Sequence, residues 1–247
     1  MVDDLTAGRD VRDRLELLFQ FMGLLRTRVP AARDPIEIFL AHMARRTAKW
    51  LERDGELPPP PPGLENTVDE MTISIDPHQS ILAMPHLMRG FGNPLRYVGF
   101  EVVHNTSSVL FITSDNPVIV LDPDIPETIM LPYTVRPPRT RVELLLPISP
   151  KVLLRGRSEV PMAGVGMPLR HVDMAAAADV RRVNRLAARF GYRFVFASHA
   201  GLEKLVGKYG AQSPTVRLDT VSDGDSGEFN EMQMVFGPRP QKPRWSA

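Results

Sequence analysis

The sequence predicts an α+β fold in which N-terminal helices pack on a mostly antiparallel or mixed sheet, with one long helix before the later strands. Apolar residues recur at three- and four-residue steps near the N-terminus, whereas beyond Phe91 they alternate or form the short runs typical of strands. Helical spacing returns over residues 173–190. A chain of 247 residues can bury a sizeable core, so we predict one domain over residues 9–237 and a basic, proline-containing tail over residues 238–247.

The composition is that of an ordinary globular protein, with 43% apolar and 24% charged residues. Thirty basic against 29 acidic residues exclude a histone-like tail or an acidic activation segment. The absence of cysteine excludes disulfides, thiolate zinc sites, iron–sulfur clusters and thiol nucleophiles. No apolar run reaches the roughly 18 residues of a membrane span and the N-terminus has no signal-peptide pattern, so we expect a soluble, cytoplasmic protein without a membrane partner.

Two helices are predicted in the N-terminal segment, residues 9–54. The first covers residues 11–25, with an apolar stripe of Val11, Leu15, Leu18, Met22 and Leu25. The second is expected to begin at Asp34, which can act as the N-cap, because Pro35 suits the first helical position and Glu37 completes a capping box. Its predicted inner stripe is Phe39, Leu40, Met43, Thr47 and Trp50.

Five consecutive prolines at residues 58–62 must end the second helix. They favour a stiff polyproline II spacer, which we place over residues 55–69 between the helical segment and a sheet-rich segment of residues 70–237. The alternative interpretation is a docking segment for a protein partner with an aromatic groove.

The sheet-rich segment is predicted to open with a third helix at Asp76-Pro77 that carries Ile81, Met84 and Met88 inward and bends or breaks at Pro85. Strands are predicted over residues 95–103, 109–113, 118–121, 142–146, 152–154, 192–197, 215–221 and 228–236. The long helix over residues 173–190 has an apolar face of Val180, Val183, Leu186, Ala187 and Phe190, and a short helix over residues 200–209 is expected to be capped by Ser198.

Most motifs with a known chemistry are missing. Gly164-Val165-Gly166 starts like a dinucleotide fingerprint but lacks the third glycine, and there is neither a P-loop nor a Gly-x-Ser-x-Gly elbow. Residues 223–227 start like a calcium loop, yet no glutamate occupies the twelfth position, so a hairpin loop is the better interpretation. The six histidines show no zinc spacing; we predict no metal site, and no cofactor is identified.

Arginine is concentrated in two stretches, residues 131–157 and 181–193. A face built from both could bind phosphates, nucleic acid or another anionic ligand. The plainer interpretation is a GC-rich genome, because arginine outnumbers lysine 25 to 5 across the chain.

A polar turn, Ser114-Asp115-Asn116-Pro117, stands between two apolar runs. Asp and Asn favour turns because their side chains bond the local backbone, and buried polar groups must find partners. The turn is therefore either a structural clasp or the mouth of a site. Leu146-Pro147-Ile148-Ser149-Pro150 repeats the arrangement of a hydroxyl between two strands.

These two stretches, in this order, resemble the bacterial family DUF4238, a domain of unknown function. The likeness runs from about Leu15 to Ala197 and includes the helix that ends in Arg26-Thr-Arg28-Val-Pro30, the Asp76-Pro-His78-Gln79 segment, and Val183-Asn184. The family's usual N-terminal His-x-x-Pro-x-x-Tyr-Leu pattern does not occur in this sequence. The resemblance implies an α+β fold and no established chemistry.

The polar residues shared in this resemblance are the ones we expect around one pocket at the Ser-Asp-Asn-Pro turn. The catalytic candidates are Asp115 as a general base or metal ligand, His78 as an acid or base, and Ser114. The candidates for binding substrate are Arg28 as an anion clamp, Gln79, Asn116, Ser149 and Asn184.

Two hypotheses of function follow. The first is a hydrolase or nuclease-like enzyme that acts on a phosphorylated or anionic substrate, motivated by Asp115, His78 and the arginines. The second is a non-catalytic protein-interaction module, motivated by the missing catalytic motifs, the proline run and the basic tail.

Overall fold

The fold is α+β, built around a five-stranded mixed sheet. The structure is a computed structural model that describes residues 1–64, 66–161, 169–222 and 228–239. The strand order is β3-β4-β5-β1-β6, and all pairs are antiparallel except β1 with β6. The bounds are β1 Gly99–Asn105, β3 Ile119–Leu121, β4 Glu143–Ser149, β5 Val152–Arg157 and β6 Arg170–Met174.

Two short ribbons complement this sheet. Strand β2 (Thr113–Ser114) pairs with β7 (Val195–Phe196), and β8 (Ser213–Ser222) forms a long antiparallel ribbon with β9 (Glu228–Gly237). The ribbon confirms the two last predicted strands, and residues 223–227, predicted as a hairpin loop, lie outside the described residues, as do residues 164–166.

The helices of the described residues are α1 Val2–Thr6, α2 Leu15–Thr27, α3 Pro30–Arg53, α4 Thr67–Glu70, α5 Pro77–Leu82, α6 Met84–Leu95, α7 Ala177–Phe190 and α8 Glu203–Tyr209. The predicted stripes of α2 and α7 are buried as expected, apart from Leu15, which is partly exposed. Because a strand points alternate side chains to opposite faces, the central sheet has two apolar faces. Val102, Leu144 and Leu154 lie in the core with α2, and Val103, Leu145 and Leu153 lie in the core with α7.

The predicted start of the second helix is wrong. Helix α3 begins at Pro30, whose fixed φ suits the first helical position, and Val29 before it is extended. Asp34 lies inside the helix, where it is buried and accepts a hydrogen bond from the Tyr192 hydroxyl. Asp34 therefore bonds a residue that is distant in the sequence and does not cap the helix.

The predicted inner stripe of α3 is also wrong, because Phe39, Leu40, Met43, Thr47 and Trp50 are all exposed. The third predicted helix is divided into α5 and α6. Pro85 is the second residue of α6, and in the first turn of a helix the missing N–H of a proline costs no hydrogen bond. Ile81, expected inward, is 44% exposed.

Three differences concern the later elements. Residues 170–174 form β6 beside β1, so α7 begins only at Ala177. Of the predicted strand over residues 109–113, only Thr113 is in β2. Helix α8 begins after Leu202 without a side-chain cap, so Ser198 does not cap it.

The proline run is exposed and follows α3, whereas α2 packs into the core of the sheet. Among the described residues, no helix has both the length and the apolar character that crossing a membrane requires.

Candidate functional site

The Ser-Asp-Asn-Pro turn joins two segments of the chain. Both carboxylate oxygens of Asp115 accept backbone N–H groups, from Tyr192 at 2.7 Å and from Arg193 at 2.8 Å. The N–H of Asp115 in turn donates to the carbonyl oxygen of Phe194 at 3.1 Å. This geometry is that of a clasp between β2 and the segment that follows α7.

Two asparagines extend this clasp along α7. The buried Nδ2 of Asn116 donates to the Phe190 carbonyl at 2.8 Å and to the Tyr133 hydroxyl at 2.5 Å. The side chain of Asn184 accepts from the Ile112 N–H at 3.0 Å and donates to the Leu110 carbonyl at 2.8 Å. The bonds of Asn184 satisfy backbone groups of the irregular segment before β2, and those of Asn116 hold the end of α7 and Tyr133.

The structure therefore brings Ser114, Asp115, Asn116 and Asn184 together at α7 and β7, and leaves the other four predicted site residues elsewhere. Arg28 is exposed at the end of α2, and His78 and Gln79 are exposed in the first turn of α5, where the Asp76 carboxylate accepts the His78 N–H. Ser149 accepts the Lys151 N–H at the turn between β4 and β5. Within the described residues, no hydrogen bond or ion pair joins these four to the turn.

A different place in the fold has the shape of a binding site. A cavity of about 750 Å³ opens between α3, α6, the β9 strand and residues 133–137. This volume is within the range of about 300–1,000 Å³ that is usual for small-molecule sites. Most of its wall is apolar, formed by Ala31, Ala32, Pro35, Ile36, Phe39, Leu87, Val120, Val135, Pro137, Met232 and Met234.

The polar side chains on the cavity wall are Arg26, Thr27, His86, Tyr133 and Arg136, and none is a carboxylate. The guanidinium of Arg26 lies over the Tyr133 ring, with its carbon 3.5 Å from the ring centroid. Its Nη1 atom is buried and has no hydrogen-bond partner among the described residues. Burial lowers the pKa of Arg26, since removing a cation from water disfavours its charge.

Tyr133 connects the cavity to the clasp. Its hydroxyl accepts from Asn116, its ring meets the edge of Phe190 at 5.3 Å, and burial raises its pKa. Its φ of 60° lies in the left-handed region, which residues other than glycine rarely adopt. Such backbone strain persists where the surroundings impose it and is frequent at functional sites.

Sequence reasoning selected Arg28 and missed Arg26. The signal that could have found Arg26 is the apolar stripe of α2, because a helix turns about 100° per residue and Arg26 follows the buried Met22 by four positions. Arg28 lies on the opposite side. Tyr133 carried no such signal, since it lies in a segment without periodicity.

Arginines of both basic stretches are neutralised by carboxylates. Arg155 and Arg157 pair with the buried Glu101, and Arg182 pairs with Glu143 at 2.8 Å. Arg141 pairs with Asp124 and Glu159. No group of three or more His, Asp or Glu residues in the described part of the chain could hold a metal ion.

A family model, described as a protein of unknown function (DUF4238), matches residues 9–201. The chain belongs to this family. The matched region contains Arg26 and Tyr133, whereas the β8–β9 ribbon, which supplies Met232 and Met234, lies beyond it. Neither the curated proteins nor the solved structures contain a match to this chain.

Proposed function

We propose that the protein binds a small organic anion in the cavity at Arg26. The observation that carries the proposal is the buried Nη1 atom of Arg26, which has no hydrogen-bond partner among the described residues. A buried donor without a partner costs about 1–3 kcal/mol, and more when it is charged. A bound anion would supply both the missing acceptor and the missing negative charge.

The other residues of the cavity wall also favour a negatively charged ligand. Arg136 and His86 are exposed beside it, and no carboxylate lines it. Ala31 and Ala32 belong to the first turn of α3, and Val29 gives this helix no side-chain cap. The positive end of a helix dipole favours an anion nearby.

A hydrolase or nuclease-like activity would need a group that can take up a proton. Both oxygens of Asp115 accept backbone N–H groups, which supports the clasp and not a general base at this residue. An imidazole also stands on the cavity wall, that of His86, whose Nδ1 lies 2.9 Å from Nη2 of Arg89. Binding of the anion is the step that an enzyme and a simple binding protein would share.

The interaction module is a second candidate, favoured by the exposure of residues 58–62. Its test is a pull-down with and without these five prolines. Recovery of the same partner by both chains would remove this candidate.

The cytoplasmic location of the protein stays a prediction.

The experiment for anion binding compares Arg26→Gln with Arg28→Gln. The protein is titrated with octanoate, phenylacetate, octyl phosphate and octanesulfonate, and the melting temperature and the heat of binding are measured, since a ligand of the native state raises the melting temperature. We expect at least one of them to bind. Arg26→Gln should weaken it by about tenfold or more, because a hydrogen bond to a charged group is worth about 1.5–3 kcal/mol.

Arg28→Gln is the matched control, because it removes the same charge from an exposed position two residues further along α2. Its affinity should equal that of the unaltered protein. Equal losses in both variants would show a general effect of charge and would contradict the proposal.

A further inference from the structure

We infer that the anion is a monocarboxylate with an unbranched apolar chain, held with its carboxylate against Arg26 and its chain along the walls formed by α3 and β9. This inference rests on the proposed function and names the class of ligand for the same cavity. Three features carry it: the number of buried charges, the geometry of the guanidinium, and the nature of the walls.

The number of charges favours a single negative charge. Arg26 is the one cation of the cavity wall with a buried donor that has no partner in the described part of the chain, while Arg136 and His86 are exposed. A carboxylate carries one charge, whereas a phosphate monoester carries about 1.5–2 at neutral pH. The second charge of a phosphate would remain unpaired in an apolar cavity, which is unfavourable.

The orientation of the guanidinium favours a planar anion. The guanidinium carbon of Arg26 lies 3.5 Å from the centroid of the Tyr133 ring, and the N–H donors of a guanidinium all lie in its own plane. Those donors match the two oxygens of a carboxylate. The Tyr133 hydroxyl already receives a hydrogen bond from Asn116, which fixes the ring that holds Arg26 in place.

The walls favour an apolar chain. Ile36 and Phe39 on α3 stand on the cavity wall together with Met232 and Met234 on β9. Phe39 and Met232 are also exposed to solvent, so the apolar lining continues to the mouth. Methionine side chains are unbranched and adapt to irregular shapes, which suits a flexible chain better than a rigid polar body.

The test is a titration with hexanoate, octanoate and decanoate below their micelle concentrations, followed by decanol and decyl phosphate. Each added CH2 group should tighten binding by roughly threefold to fourfold as long as it is buried. Decanol, which has the chain without the charge, should bind about tenfold more weakly than decanoate. Decyl phosphate should also bind more weakly than decanoate.

A variant at the mouth tests the position of the chain. Met232→Glu places a negative charge at an exposed position on the cavity wall and should weaken decanoate at least about tenfold, because a like charge and a polar group replace an apolar contact. Leu82→Glu is the control, since Leu82 is exposed on α5 and does not line the cavity. It should leave the affinity unchanged.

Different results would overturn the carboxylate-chain inference and the proposed function. The carboxylate-chain inference would be overturned by an affinity that does not depend on chain length, or by tighter binding of decyl phosphate than of decanoate. In either case, binding of another anion that depends on Arg26 would still support the proposed function. If none of the anions bound in an Arg26-dependent manner, the proposed function itself would be overturned.

Discussion

The carboxylate of Asp115 joins two segments that are distant in the sequence, and its removal should destabilise the fold. Asp115→Ala leaves the N–H groups of Tyr192 and Arg193 without their acceptor, so we expect a loss of about 2–4 kcal/mol in the free energy of unfolding. Asp115→Asn, which keeps one carbonyl acceptor, should lose about half as much. Urea unfolding measures both, and unchanged stability in Asp115→Ala would return this residue to the catalytic hypothesis.

Arg26 should contribute little to stability in the absence of a ligand. Its unpartnered buried donor costs about 1–3 kcal/mol, and its partly desolvated contact with Tyr133 offsets this by about 1–2 kcal/mol. We therefore expect Arg26→Met to change the free energy of unfolding by less than about 1 kcal/mol, and the exposed Arg28→Met to change it by less than about 0.5 kcal/mol. A marked loss of stability in Arg26→Met would assign Arg26 a structural role.

A pair of histidines joins the edge strand β6 to β1. Nε2 of His104 on β1 lies 2.8 Å from Nδ1 of His171 on β6, and such a bond needs one nitrogen without a proton. Burial first, and then the neighbouring His104, lower the pKa of His171 below its ordinary value of 6.5. Asp173, which is in register with His104, is the acidic residue of the same strand.

The imidazole of His171 takes up a proton more readily in the unfolded chain than in the folded one, because its pKa is lowered in the fold. The stability contributed by the neutral histidine pair is therefore complete above pH 6.5 and is lost as the pH falls through the lowered pKa of His171. We expect the free energy of unfolding, measured in urea between pH 8 and pH 5, to fall less steeply in His171→Asn than in the unaltered protein. His199→Asn, at an exposed position, serves as the control. Equal pH profiles for His171→Asn and the unaltered protein would contradict this role for the pair.

Helices were predictable where their partner was the sheet. The stripes of α2 and α7 face the two apolar sides of the sheet, so their periodicity reports real burial. Helix α3 has a similar stripe, yet its residues are exposed, and its buried residues are Ala31, Asp34 and Pro35 near its N-terminus. Periodicity shows that a face is apolar but not what covers it.

The clasp could be predicted in part, and the cavity could not. The turn residues Asp115 and Asn116 could be identified from the sequence because they are polar residues between apolar runs. The cavity depends on Arg26, Tyr133 and Met234, which come from a helix, an irregular segment and the last strand. Only the tertiary arrangement of these elements brings them together, and no local pattern records it.

The N-terminal helices and the sheet should unfold as one cooperative unit. Met22 of α2 is 0% exposed and lies in the same apolar core as the sheet residues Val102 and Leu144. Met22→Ala should therefore cost about 2–5 kcal/mol and lower the helical and the sheet signals together. Leu17→Ala is the matched control on the same helix, because Leu17 is 58% exposed and this variant should lose less than about 0.5 kcal/mol of stability.

Far-ultraviolet circular dichroism and amide hydrogen exchange of β1 and β4 would follow the helices and the sheet separately. Two separate transitions, with the sheet unaffected by Met22→Ala, would show that the helical segment is a domain of its own and that residues 55–69 are a true linker.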